Sequence, residues 1–434
     1  MTELVDVVVI GGGIAGKIAA IECAKLALSV RVLHDASGDT AIRSRAIGSV
    51  DGVDTAAESF LQGDAIDALC TEFGLETEVL LPRNTLLARA GECVSMPTNT
   101  VAGIPANPFA SDLSGLARSA RWRAYADRVM PFLKVGEARN LAELVRVRMG
   151  TAMLETITRP LVRAQYRIEP ERVDINRVAP KLNRTLTTTG TLSGAVLALS
   201  AEEPVALRVR DGLARLDQAL ADRLEHYAVE LSAVRATGVE RTENGWTVHS
   251  AGEPVRARAV IAAVDPESIG ESRPSALSAT ARSVRIATML IRASRVPRAT
   301  GILAIDDDSL ESAALLSARS PSLRAPLDSE EHLLRLVVPT GHDTAPALAR
   351  VADWLGLGQV SVLDADEHDW TLLRPWVATD DPTPAQFSGD CSEHIAWTGQ
   401  WASGSGLARV ATHAIDVAHQ VRRSVLEQRA AGGS

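Results

Sequence analysis

Two hydrophobic rhythms follow each other at the start of the chain. Val5 to Ile10 make an apolar run of strand length, and Ile14, Ile18, Ile21 and Leu28 then recur at helical spacing. "LSVRVLHD" predicts a second strand, which completes a βαβ unit of the expected length. Ile66, Leu69 and Phe73 predict a helix over residues 63 to 75. Pro97, Pro105 and Pro108 deny regular structure to "MPTNTVAGIPANPFA". From Leu113 to Tyr166 the pattern is mostly helical; Leu141, Leu144, Val145 and Val147 mark one helix and Gly150 its C-terminal stop.

Residues 212 to 228 predict a strongly amphipathic helix. Three strand segments follow: "VELSAVRATGVER", "TENGWTVHSAG" around an Asn244-Gly245 turn, and "RARAVIAAVDP". Such a meander, ending in a buried strand, is the usual second half of a dinucleotide domain of the flavin type. Residues 277 to 385 alternate strands and helices and predict a separate layer. The acidic runs "IDDDS" and "DADEHD" within it are expected as solvated loops, not metal sites. The chain ends in a strand, a glycine-rich turn and a long helix.

The first strand-to-helix junction, "VVVIGGGIAGKIAA", fits two phosphate-binding loops at once. Gly11, Gly13 and Gly16 satisfy G-x-G-x-x-G, while Gly11, Gly16 and Lys17 satisfy most of G-x-x-x-x-G-K. The second pattern needs a Ser or Thr after the lysine as a magnesium ligand, and this chain has Ile18. Strands ending at Asp265 and Asp306 could serve such a loop, but runs of that kind are common in any α/β protein. The dinucleotide reading gives all three glycines a job: a tight turn, close approach of backbone to pyrophosphate, and helix-strand packing. A glycine-rich turn that binds nothing is the bland alternative. Gly399, Gly404 and Gly406 precede a helix beginning near Leu407 and repeat this geometry at the other end of the chain. A helix N-terminus there would carry partial positive charge suited to negative charge developing on a ring.

Composition narrows the choice. The length of 434 residues predicts two domains or one elaborated domain. A net charge of −9 and a pI near 5.6 disfavour a nucleic-acid surface. The only lysines are Lys17, Lys25, Lys134 and Lys181, so arginine carries the positive charge. Cys23, Cys70, Cys93 and Cys391 are scattered and read as reduced thiols, and His413 and His419 are too loosely spaced to share a helix face, so no metal site is expected. No secretory signal and no spanning segment are read. The expected location is cytoplasmic, with peripheral membrane contact left open.

Along nearly its whole length the chain resembles the protoporphyrinogen and coproporphyrinogen oxidases of the flavin-dependent amine oxidase superfamily. The pieces, in order, are "VVVIGGGIAG", "VDTAAESFL", "SMPTNTVAGIP", "LAELVRVRMGTAMLETITRPLV", "YRIEPERVDI", "LNRTLTTTGTLSGAV", "GLARLDQALADRL" and "TGQWASGSGLARVA". The resemblance implies an α/β fold with a discontinuous Rossmann-type FAD-binding domain (1–80, 205–275 and 389–434). It also implies a mixed-sheet substrate domain (81–110 and 276–388) and an inserted helical domain (111–204). The implied chemistry is oxidation of a porphyrinogen, coproporphyrinogen III or protoporphyrinogen IX, by FAD in three two-electron steps, with oxygen as acceptor, in haem biosynthesis. A downstream haem-synthesis enzyme is the implied partner. The low-lysine composition looks like that of a high-GC bacterium, where this family tends to use coproporphyrinogen III.

The cofactor set implied is Gly11, Gly13, Gly16, Lys17, His34, Asp35, Arg43, Val234, Gly399, Gly404, Gly406 and Leu407. The substrate set is Arg83, Arg163, Tyr166 and Arg167; no side chain is assigned as catalytic acid or base. Several of these depart from the family pattern. His34 stands where relatives carry an acid that grips the adenosine ribose, with Asp35 next to it. Thr40 and Ala41 occupy paired-glycine positions facing the pyrophosphate, with Arg43 nearby, and Ala56 and Ile415 also replace glycines. In "RAQYRI", Arg163, Ala164, Arg167 and Ile168 replace small residues, while Tyr166, Glu169 and Pro170 persist. Arg163 and Arg167 suit propionates by bidentate pairing, or else simply fill the pocket. These departures keep two alternatives open: a flavin-free relative that binds a porphyrin or a protein without oxidising it, and another FAD-dependent amine or carotenoid-type oxidoreductase.

Overall fold

A computed structural model of the chain describes residues 4–35, 42–89, 91–129, 139–201, 205–243, 245–271, 281–305, 307–373, 377–378, 394–404 and 406–432. Strand β1 (Leu4–Ile10) is followed by helix α1 (Ile14–Ala24) and strand β2 (Val30–Leu33). β1 lies inside a sheet ordered Glu230–Ser232, β2, β1, Val255–Ala262, Gly245–Ser250, Ala236–Thr242. Its first four strands run parallel. A strand buried on both faces must be apolar on both, and β1 obeys this. Val7 and Val9 pack with α1, the helix Ala214–His226 and the helix Leu407–Gly432, while Val8 and Ile10 pack with Trp246 and Val248 behind.

The predicted strand "VELSAVRATGVER" is two strands. Glu230–Ser232 pairs parallel to β2, and after a turn Ala236–Thr242 pairs antiparallel to Gly245–Ser250. The last strand, Ala396–Trp397, joins the carboxyl half of Val255–Ala262. This carries the second glycine turn to the edge where β1 ends. Asn244 and Cys391 lie outside the described residues. Cys23 and Cys70 are buried and Cys93 is half-buried.

A second sheet is ordered Val360–Leu373, Ala281–Ala293, Glu331–Pro339, Ser312–Leu315, Gly301–Ala304, Thr85–Arg89, Glu92–Ser95. Ala287, Met289, Leu334 and Leu336 pack one face against the helix Thr344–Leu355. The opposite face, carrying Thr288, Arg335 and Leu333, meets residues 43–58 of the first body. "DADEHD" is therefore no loop: it lies in the edge strand Val360–Leu373, and Asp366 pairs across from Thr288 and His368 from Ile286. Of the other acidic run, Asp307 caps the turn at Ser309 and Leu310 and pairs with Arg350 at 3.0 Å; Asp306 lies outside the described residues.

Residues 118–129 and 139–200 form the helical layer around a separate core that includes Leu141, Val145, Met149, Leu161 and Leu192. Gly150 ends the helix Leu141–Met149 with φ +94°, yet the chain re-enters a helix at Thr151. The proline-rich segment holds a small ladder of Thr100–Val101 on Ile104–Pro105, made possible by positive φ at Ala102 and Gly103. Asp127, fully buried, accepts from the guanidinium of Arg148 and from the N–H groups of Leu192 and Ser193.

A buried charged seam ties the two sheets. Arg208, 2% exposed, donates to the carbonyls of Gly52 and Arg210 and to Ser322 Oγ. Arg335 crosses from the second sheet to the carbonyls of Asp54 and Ala56 and to Glu58 at 2.8 Å. Asp54 sits between them, accepting from Ser44 Oγ and the Leu213 N–H. Burial pushes its carboxyl up to about 6 against the pull of those donors and of Arg208 and Arg335. Removing one member of such a network strands charge in the interior. Arg208→Ala should therefore cost about 3–5 kcal/mol, read as a lower thermal midpoint. Arg215→Ala, whose pair with Asp211 is exposed on both sides, should cost less than about 0.5 kcal/mol.

Candidate cofactor and substrate site

Ile10, Leu33, Ser232, Ala262 and Trp397 end their strands on one edge of the first sheet. β2 flanks β1 on one side and Val255–Ala262 on the other, so connections leave in opposite directions and open a crevice at this edge. Gly11 and Gly16 are demanded by packing. A Cβ on Gly16 would lie 1.9 Å from the Gly11 carbonyl oxygen, and one on Gly11, at φ +112°, would lie 2.9 Å from Ala263 O. Gly13 differs: its backbone is extended and a Cβ there would meet nothing within 4 Å. Open space at the N-terminus of a helix is where a phosphate can approach backbone N–H groups.

The neighbouring strand ends supply His34 and Val234. The His34 N–H donates to Ser232 O at 3.0 Å and that of Val234 to the same oxygen at 2.8 Å. A Cβ on Gly12 would lie 2.7 Å from His34 Cβ, so imidazole packs on the loop where relatives carry an acid. Asp35 lies 3.7 Å from Arg235. Thr40 and Ala41 lie outside the described residues. Lys17 needs correction as a phosphate ligand. Its Nζ is 2.7 Å from Asp217 Oδ1, on the helix Ala214–His226, and only 11% of its side chain is exposed. One step past Gly16, it points along the helix-helix face and not into the crevice.

The C-terminal glycine turn meets the N-terminal one. Thr398 N–H donates to Ala262 O at 2.8 Å, and a Cβ on Gly399 would lie 3.6 Å from Ala15 Cβ and 3.7 Å from Ala263 O. Gly399, Gly404 and Gly406 all have positive φ, a conformation that favours glycine. They wrap a short helix, Gln400–Ser403, and release the chain into Leu407–Gly432, whose first turn closes from Val410 N–H to Gly406 O. A Cβ on Gly406 would meet nothing within 4 Å.

The edge strand of the second sheet carries a pair that sequence reasoning missed. Asp366 accepts from Arg45 at 2.8 Å and lies 3.6 Å from Arg43. Burial alone would raise its carboxyl, but Arg45, Thr55 and Arg43 hold it below the ordinary range. His368 Nδ1 lies 3.5 Å from Asp366 Oδ2, and its side chain is 9% exposed. Burial, with Arg43 second, lowers its pKa, so the ring is neutral at pH 7. The period-two pattern Asp364, Asp366, His368, Trp370 was the available signal.

The proposed substrate residues divide. Arg163, Tyr166 and Arg167 gather at the end of the helix Arg159–Tyr166. Arg167, at φ +57°, donates to the carbonyls of Ala304 and Glu311 and so clamps the helical layer to the second sheet. That corrects its expected propionate role, because the guanidinium is spent on backbone. Arg163 lies 3.3 Å from Glu169 and stays 36% exposed. Arg83 does not join them. It is exposed beside Arg319, at the start of Thr85–Arg89, whereas Arg167 grips the opposite end of the neighbouring strand. Glu311, buried between Arg282 and Arg167, has its pKa raised chiefly by burial.

Comparison with known proteins supplies a family. The model of flavin-containing amine oxidoreductases matches residues 51–286, more than half of the chain, and that of an FAD binding domain matches residues 6–72. No curated protein matches the sequence. Among solved structures, a protein of Exiguobacterium sp. 255-15 assigned as a protoporphyrinogen oxidase is similar with a TM-score of 0.77 and 17% identity, covering 98% of this chain and 100% of its own. Cyclohexylamine oxidase of Brevibacterium oxydans IH-35A gives 0.60 and 18%, over 98% of both chains. Reduced UDP-galactopyranose mutase gives 0.63 and 13%, over 97% of both. At these identities the likeness shows the fold.

The residues present fit FAD. Gly13 leaves room for a pyrophosphate at a helix N-terminus, and Gly406 leaves room at the start of a second helix. The two glycines of the first loop separate function from packing. Gly13→Val should leave the apoprotein's thermal midpoint unchanged and raise the FAD Kd about tenfold or more, ~1.4 kcal/mol. Gly16→Ala should lower the midpoint of the apoprotein itself.

Proposed function

The chain belongs to the flavin-containing amine oxidoreductases, and from that premise we propose that it oxidises a porphyrinogen, coproporphyrinogen III before protoporphyrinogen IX. Bound FAD supplies the electron sink, and the alternative of a flavin-free relative gives way to family membership. The observation that carries the reading is the partly uncovered face of the second sheet. Leu303, Ser312 and Val337 lie on that face and remain half-buried in mid-sheet. Tyr166 packs in the same apolar cluster as Leu303. Leu303 and Val337 give this mixed face an apolar part, and Arg163, one turn before Tyr166 on its helix, adds a partly exposed guanidinium, a combination that suits a large ring bearing carboxylates. The end-to-end likeness to a protein assigned as a protoporphyrinogen oxidase supports the same choice.

In this reading Gly11, Gly13 and Gly16 cradle the pyrophosphate, and His34, Asp35 and Val234 take the adenosine. Neutral imidazole donates one hydrogen bond and accepts one, so His34 can serve a ribose that relatives bind with a carboxylate. Gly399, Gly404, Gly406 and Leu407 border the ring, where the N-terminus of the last helix favours negative charge. Arg43, already engaged by Asp366, guards the crevice between them. Oxygen would be the electron acceptor in this reading. Among the described residues no helix is long and apolar enough to cross a membrane.

Anaerobic mixing of the FAD-loaded protein with coproporphyrinogen III should bleach the flavin absorbance, and admitting air should restore it as porphyrin fluorescence grows. Bleaching by a primary amine but not by either porphyrinogen would replace this substrate with an amine.

A further inference from the structure

His368 has a ring nitrogen that the protein does not use. Both its nitrogens are buried and lack a hydrogen-bond partner of good geometry, Nδ1 lying 3.5 Å from Asp366 Oδ2. Asp366 Oδ2 is likewise buried without a well-formed bond. The natural arrangement is Nδ1–H directed at Asp366, a carboxylate fixed by Arg45 and Arg43, which leaves Nε2 as a bare acceptor. A buried acceptor with nothing to accept costs stability, and native structures rarely keep one without a reason. The place gives the reason. His368 lies on the sheet face opposite the helix Thr344–Leu355, in one row across the strands with Ile286, Val337 and Ser312 of the partly uncovered face, and within the field of Arg43.

We infer that His368 Nε2 accepts a hydrogen bond from a ring N–H of the bound cofactor or substrate, with Asp366 as the positioning residue that orients the imidazole. Two rings carry such donors: the isoalloxazine of FAD and, resting on the porphyrinogen reading above, the pyrroles of the substrate. The contact adds no proton transfer; it orients a ring and is lost with the acceptor.

The test uses the full chain with His368→Leu, which removes the acceptor, and His368→Gln, which restores one. FAD affinity is read by flavin fluorescence, and affinity for coproporphyrinogen III by quenching of tryptophan fluorescence under nitrogen, in FAD-loaded protein whose flavin is reduced beforehand so that no turnover occurs. His368→Leu should raise one of the two Kd values about five- to tenfold, the worth of one hydrogen bond, and His368→Gln should stay within about twofold of wild type. A change in FAD affinity assigns the flavin as donor; a change confined to the porphyrinogen assigns the pyrroles. His368→Leu also removes the Nδ1–H that faces Asp366, so a fall in the apoprotein's thermal midpoint is expected on that ground alone, and the affinities are read at a temperature where each variant is folded. Unchanged affinity for both ligands overturns the inference. A wild type that binds FAD but no coproporphyrinogen contradicts the substrate reading alone, and the flavin measurement still decides this one.

Discussion

At Gly11, Gly16 and Ala263 backbone meets backbone with no room for a side chain, and the rest of the site is hung on that contact. The Gly11 carbonyl faces Gly16 across the first turn of α1, Gly11 itself abuts Ala263, and Gly399 comes down beside Ala263 and Ala15. Residues from the start, middle and end of the chain are thereby held at one sheet edge. A methyl group on Gly16 would force α1 away from β1 and open the crevice that the strand order creates. Packing here is a precondition of binding, which explains why Gly13, the glycine facing open space, can be separated from its neighbours by mutation.

The second sheet is placed by charge as much as by hydrophobic burial. Ile47, Val50 and Val53 meet Leu290, Leu333 and Leu316 in an apolar cluster, and beside it Arg335 and Arg208 reach backbone carbonyls of residues 52–56. Guanidinium groups can satisfy several carbonyls at once, so a segment whose only ladder is its own hairpin, Ser44–Ile47 on Val50–Asp54, acquires a fixed position between two sheets. The same segment begins with Arg43 and Arg45, which hold Asp366 in the edge strand of the second sheet. Arg167 does the equivalent work at the helical end. Arginine, nearly the sole cation of this chain, is the material of its domain contacts.

Local chemistry was legible in the sequence and distant pairing was not. The two glycine turns, the flanking strand and helix, and the amphipathic helix at 214–226 declare themselves by spacing within a few residues. The fate of Lys17 depends on Asp217, two hundred residues on in the chain, and no local pattern announces it. Arg163 and Arg167 look alike in sequence, yet one stays at a rim and the other is consumed by carbonyls of Ala304 and Glu311. "DADEHD" misled for a different reason: its acidity argues for solvent, whereas its alternation argues for a strand with one face buried. The buried face won because Arg43 and Arg45 compensate Asp366. His34 is the opposite case, a departure visible in the sequence that the fold accommodates by packing imidazole on Gly12.

Hydrogen–deuterium exchange with and without saturating FAD tests most directly whether both ends of the chain serve one cofactor. Amides of residues 11–17 and of 404–410 should slow together on adding FAD, with Gly13→Val weakening both effects in parallel at an FAD concentration near the wild-type Kd. Saturable FAD binding that protects only one of the two turns would contradict the account.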